Sequence, residues 1–248
     1  MKKILIPVLF CFFLLPIVTN AEIINYKNPQ YHYSFTIPNT WIEIPKSIID
    51  EVMQQLVNMS GGESIDYTAG FQLENNELFQ YPYILVQQYE IDTPSYNQIT
   101  ETFKSNEFSN NINKSIDEYS KLISNASLED PFIDRDRNII FMNSEMDVVD
   151  IGKVKGLMAA FLGKDGITQL NFYSGEFEYL ENLSTFNQII DSFKYDQGYE
   201  YSQQQALQND NSNIFEGVME KGIIGLITGG IFALLFWLFS GFKKEQDE

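Results

Sequence analysis

The chain has 248 residues, 44% of them hydrophobic and 15% aromatic, with a formal charge of −18. That is enough apolar material for one sheet-containing domain with a real core. A surface this acidic repels phosphate backbones and anionic lipid, which excludes nucleic-acid binding, and a single cysteine and a single histidine exclude most zinc sites and any Cys–His nucleophile.

Residues 1–21 read as a secretory signal peptide. Lys2 and Lys3 open it, an apolar run over 4–18 follows, and Thr19-Asn20-Ala21 places small residues before a cleavage point at Glu22. The apolar run is short and interrupted by Pro7 and Pro16, so it does not suit a spanning helix. Cys11 lies inside this run rather than at its end and is not a lipidation site. The mature chain then has no cysteine and a charge near −20, because Lys2 and Lys3 leave with the signal.

Residues 22–194 alternate strand and helix patterns. Tyr33, Phe35 and Ile37 alternate with polar residues up to Pro38 and predict a strand. A short strand over 41–44 follows the turn at Pro38-Asn39-Thr40. The spacing of Ile49, Val52, Met53 and Leu56 predicts a helix over 45–59, capped by Ser47 and ended by Gly61-Gly62. Ile65, Tyr67, Ala69, Phe71 and Leu73 alternate over nine residues, a strand with one apolar face. The chain turns at Asn75-Asn76 and returns as a strand over 83–91. Ser95 and Gln98 have capping-box spacing, and the helical face they open runs through Ile99, Phe103, Ile112, Ile116, Tyr119 and Ile123, with a break near Ser109-Asn110. Strands are expected over 139–142, 148–151, 154–162 and 167–173, the last two joined as a hairpin by Gly163-Lys164-Asp165-Gly166. Leu180, Leu183, Phe186, Ile189, Ile190 and Phe193 predict a final helix. Strands joined by short turns imply an α+β fold, an antiparallel β-sheet sandwiched by helices.

Residues 195–221 include a polar stretch without apolar period and read as a linker. Residues 222–242 carry no charge. At about 1.5 Å per residue they reach about 31 Å, the thickness of a hydrocarbon core. They predict a single C-terminal transmembrane helix. Lys243 and Lys244 mark its far side as cytosolic, so 243–248 form a cytosolic tail. The expected topology is a single-pass protein of the cell membrane, with its ectodomain periplasmic or extracellular. Gly222, Gly225, Gly229 and Ala233 give this helix a small-residue stripe that permits close approach of another helix. The implied contact is self-association or an unknown membrane-protein partner.

Two segments carry a resemblance. Tyr33-Ser34-Phe35-Thr36-Ile37-Pro38 followed by Trp41 resembles the opening strand and turn of the PsbP-like superfamily, which includes PsbP subunits, a Ran-binding import factor and bacterial envelope proteins of the DcrB type. Phe186-Asn187-Gln188-Ile189-Ile190-Asp191-Ser192-Phe193 is similar to that family's last helix. The resemblance covers 22–194. It implies the sandwich fold and a non-enzymatic binding or assembly role beside a larger complex. It carries no functional residue, and the C-terminal anchor departs from the family.

Chemistry-bearing residues are sparse. His32 reads as a strand residue near the surface, and no Gly-x-Ser-x-Gly turn exists for it to serve. Asp134, Asp136, Asn138 and Glu145 fall at calcium-loop spacing, but Ile139 stands where that loop needs glycine. The expected structure there is a turn whose arginines neutralise its acids. Asn58, Asn113, Asn125 and Asn182 begin Asn-x-Ser sequons. No cofactor, metal or catalytic residue is expected. A membrane-anchored binding protein is the leading reading, and an envelope glycan-binding module or carboxylate-based hydrolase the alternative.

Overall fold

The computed structural model describes residues 23–75, 77–207 and 212–238. The expected signal peptide with its cleavage point, and the expected cytosolic tail, lie outside these residues.

All strand pairings among the described residues are antiparallel. A small sheet pairs β1 (Ile23–Asn28), β2 (Tyr33–Pro38) and β11 (Lys194–Tyr195) in the order β1-β2-β11. The large sheet runs β3-β4-β5-β10-β9-β8-β6, with β7 also on β8. Its strands are β3 (Trp41–Glu43), β4 (Tyr67–Leu73), β5 (Tyr83–Tyr89), β6 (Ile123–Leu128), β7 (Phe132–Asp134), β8 (Ile139–Val148), β9 (Gly152–Leu162) and β10 (Ile167–Gly175).

Each face of the large sheet has its own core. On one face the small sheet and α4 (Tyr179–Ser192) bring Phe35, Phe186, Ile189 and Ile190 onto Trp41, Ile84, Val86, Leu170 and Phe172. On the other lie α1 (Lys46–Ser60), α2 (Tyr96–Phe103), α3 (Asn106–Glu118), α6 (Ser212–Gly229) and α7 (Phe232–Leu238). The one-turn helix α5 (Gln203–Ala206) lies between β11 and α6.

The local signals explain several elements directly. Helix α1 buries Ile49, Val52, Met53 and Leu56, the four apolar residues whose spacing predicts it. Gly61 ends it at φ 76°, a conformation that costs glycine little. The Ser95 hydroxyl accepts from the Gln98 amide while the Gln98 side chain accepts from the Ser95 amide, a complete capping box. Ser47 does not cap α1, because that helix begins one residue earlier, after Pro45.

Other elements depart from the expectations. The single apolar face of 65–73 is split. A register shift between Tyr67 and Ala69 turns Ile65 and Tyr67 into one core and Ala69 and Phe71 into the other, because an extra residue in one strand reverses every later side chain. The helix break falls at Lys104-Ser105, where Ser105 caps α3, and not at Ser109-Asn110. Ile123 opens β6 instead of closing a helix. Residues 139–148 form one strand of ten residues, longer than the first of the two pieces expected. The polar stretch 195–221 carries β11, α5 and the first turns of α6. Its Tyr195 hydroxyl donates to the Phe161 carbonyl over 2.9 Å, and Ala206 is buried.

The apolar C-terminal segment is buried among protein. Ile223, Leu226, Ile227, Ile231, Phe232 and Leu235 are fully buried, and α6 lies between the sheet and the neighbouring helices α2 and α3. The helix bends by 45° between α6 and α7. Among the described residues no single helix is long and apolar enough to cross a membrane, although this bent pair has the length and composition when taken together.

Candidate functional site

The most specific arrangement among the described residues is the bed on which α6 lies. Strand alternation sends Tyr83 and Gln87 from β5, and Gln169, Asn171 and Tyr173 from β10, to the helical side. The shift in β4 adds Tyr67. An apolar helix thus rests on a polar floor.

The floor is internally bonded. The Gln87 side-chain carbonyl accepts from Asn171 Nδ2 (2.6 Å) and Gln169 Nε2 (3.0 Å), while Gln87 Nε2 donates to the Tyr89 hydroxyl (2.7 Å). Gln169 shares its amide hydrogens with the Asn171 side chain and the Gly222 carbonyl, both at 2.8 Å. The tyrosine hydroxyls aim at helix backbone. Tyr67 (2.6 Å) and Tyr173 (2.9 Å) both donate to the Gly225 carbonyl. Tyr83 donates to the Gly229 carbonyl and Tyr81 to the Gly230 carbonyl, each over 2.6 Å. Burial raises the pKa of Tyr67, Tyr81, Tyr83 and Tyr173 above the ordinary phenol value, so all four hydroxyls keep their protons and remain donors.

These bonds explain the glycines. A Cβ at Gly225 would stand 2.2 Å from Gln87 Oε1, one at Gly222 2.3 Å from Gln169 Oε1, and one at Gly229 2.2 Å from the Tyr173 hydroxyl. Only a bare backbone lets the carbonyls reach the floor. The bend is served by the same floor. Where the helical ladder tightens at Gly230 and Ile231, the carbonyls of Gly229 and Gly230 take tyrosine hydroxyls as partners, which removes the penalty of burying them unpaired. Of the predicted stripe, Gly222, Gly225 and Gly229 therefore face the sheet of their own chain. Ala233 is half-buried on α7 and borders a cleft with Phe79 and Tyr81.

The remaining candidates are dispersed. His32 precedes β2 in a left-handed turn (φ 56°), stacks on Tyr199 at 3.6 Å and lies 3.7 Å from Asp196. It is a turn residue, not the expected strand residue, because the β1–β2 connection needs a positive φ there. Asp134 accepts from the amides of Asp136 and Arg137 and from the Arg137 guanidinium at 2.7 Å, which holds its carboxyl below the usual range. Arg137 also binds Asp191, and Arg135 lies over the Tyr96 ring. Of the calcium-like spacing, Asp134 is thus used in a turn, whereas Glu145 lies on β8 and pairs with Lys153. Among the described residues no group of three or more His, Cys, Asp or Glu side chains could hold a metal ion.

The polar floor was the feature sequence reasoning missed. Its trace is the set of polar residues Gln87, Gln169 and Asn171 at positions where strand alternation calls for apolar residues.

Fold and site together define an antiparallel α+β sandwich that encloses a glycine-striped helix of its own chain. Among solved structures it is similar to the solution structure of cyanobacterial PsbP (CyanoP) from Synechocystis sp. PCC 6803, at 15% identity and a TM-score of 0.44, over 73% of this chain and 96% of that one. The likeness is PsbP-like and lies at the level of fold. No protein-family model matches the chain, and no curated protein matches it.

Proposed function

We propose that this chain is a membrane-anchored, non-enzymatic envelope protein that binds or stabilises a membrane-protein partner through its helix seat. Its own C-terminal segment is the resident occupant. When a small-residue stripe of a partner's transmembrane helix takes the seat, residues 222–242 move to the bilayer as an anchor. The observation that carries this reading is the donor set: Tyr67, Tyr81, Tyr83, Gln169 and Tyr173 all bind helix carbonyls. Such a seat reads backbone at small residues and tolerates different apolar side chains, which suits exchange between helices.

Replacing Tyr81 at the seat's edge by p-benzoylphenylalanine tests the exchange. Irradiation of intact membranes is expected to yield an adduct with a second membrane polypeptide. Adducts confined to the chain's own α6 and α7 would remove partner binding from this site.

A second reading, glycan binding or carboxylate-based hydrolysis, has one feature in its favour. A cleft of about 260 Å³ near His32 places Glu90 and Asp165 beside Tyr31, Tyr195 and Tyr199. Unchanged glycan binding or turnover in a Glu90→Gln, Asp165→Asn variant would take that cleft out of consideration.

A further inference from the structure

Large exposed apolar side chains gather at one end of the sandwich. The β8–β9 turn exposes Val149 and Ile151 on either side of Asp150. Beside it, the Glu176 amide donates to the Lys153 carbonyl over 3.1 Å, which holds the β10–α4 loop against the start of β9. That loop and the first turn of α4 present Phe177, 88% exposed, and Leu180, 79% exposed. The end of α7 reaches the same place. Trp237, 59% exposed, borders a cleft with Ile151 and the loop before β5. The register agrees, since β10 ends beside the start of β9 and opposite the start of β5.

None of these residues is required by the two cores, and Leu180 lies outside the face that α4 buries. Solvent-exposed Phe and Ile on two loops, with Leu and Trp at two helix ends, all at one end, form a patch that water disfavours. The surrounding charge is acidic: Glu77 and Glu178 line the cleft, and Asp150 and Glu176 lie in the two loops. Lys153, the cation at this edge, is engaged by Glu145 and Glu176.

We propose that this end is a bilayer-docking surface selective for zwitterionic lipid. Ile151, Phe177, Leu180 and Trp237 enter the interfacial zone. The acidic collar then lies at the level of the headgroup ammonium groups, which attract it, whereas anionic headgroups repel it. A protein partner would need no such lipid selectivity. The proposal goes beyond the helix seat: the tip acts while α6 and α7 are docked, and it needs no partner polypeptide.

The test uses the full chain and protein-free vesicles. Trp41 is buried and Trp237 exposed, so a change in tryptophan emission on vesicle addition reports Trp237. The expected result is a blue shift with phosphatidylcholine vesicles and weaker binding when phosphatidylglycerol is mixed in. A Phe177→Ser, Leu180→Ser variant should keep the circular dichroism of the parent and bind at least about tenfold more weakly, since each side chain contributes its full transfer free energy. Undiminished binding by that variant would show that the C-terminal helix inserts by itself and would overturn the tip. Tighter binding to anionic vesicles, or no binding to either, would overturn it equally. These outcomes are independent of the Tyr81 cross-link, so the tip and the helix seat can fail separately.

Discussion

The Tyr83 hydroxyl donates to the carbonyl of Gly229 over 2.6 Å, at the point where α6 bends into α7. The bend exposes a carbonyl that a straight helix would satisfy within itself, and β5 supplies the missing donor. Sheet and helix are matched at a single backbone atom.

Removing that donor should destabilise the fold. Tyr83→Phe leaves the Gly229 carbonyl buried without this partner, a loss of about 1–2 kcal/mol. Tyr173→Phe should cost less, because the Gly225 carbonyl keeps the Tyr67 hydroxyl. Urea unfolding of the two variants and the parent measures the difference. Equal losses would mean that the hydroxyl at the bend has no special part.

Glycines along α6 should respond in opposite directions. Gly225→Leu drives a side chain into Gln87, which Asn171 and Gln169 hold in place. Over-packing of this kind costs about 1–3 kcal/mol. Amide hydrogen exchange should show lost protection over 222–238. A Cβ at Gly217 meets nothing within 4 Å, so Gly217→Ala should stabilise by up to about 1 kcal/mol through helix propensity.

Tyr119 offers a change of the opposite sign to Tyr83. Its hydroxyl is buried without a hydrogen-bond partner, and burial with Glu118 and Glu63 nearby pushes its pKa up to about 12. Tyr119→Phe removes an unsatisfied polar atom and keeps the ring. The expected effect is neutral to stabilising by about 1 kcal/mol, read as a higher urea midpoint. A clear loss of stability would mean that the hydroxyl is satisfied in solution.

The docking of α6 should depend on pH through Glu216. One of its carboxylate oxygens is buried without a hydrogen-bond partner, and burial, Glu107 and Glu220 raise its pKa above the ordinary carboxylate value. The folded state therefore holds the proton more tightly than the unfolded chain. The penalty is absent below the unfolded value, grows as pH rises from there, and is complete above the folded value. The parent should gain more stability than Glu216→Gln between about pH 7 and about pH 5. Parallel profiles for the two would remove Glu216 from the pH dependence.

The sequence by itself determined the elements whose signals are local. Helix α1 follows from four apolar positions and a terminal glycine, α2 from Ser95 and Gln98, and the β9–β10 hairpin from two β-rich runs around Gly163 and Gly166. The antiparallel α+β class follows from short turns between such runs. Strands β1, β6, β7 and β11 were not legible, because β1 and β6 carry no regular apolar alternation and β7 and β11 are too short for a period to show. The split of Ile65 and Tyr67 from Ala69 and Phe71 was hidden as well, since alternation assumes that no residue is inserted. The C-terminal segment marks the deepest limit. A helix that is apolar all round is a membrane span or a buried core helix, and its composition is the same in both. The glycines at 222, 225 and 229 announced a close approach, but the surface approached was a matter for tertiary structure. Only there do Gln87, Gln169, Tyr83 and Tyr173, far away in sequence, meet the carbonyls that those glycines leave bare.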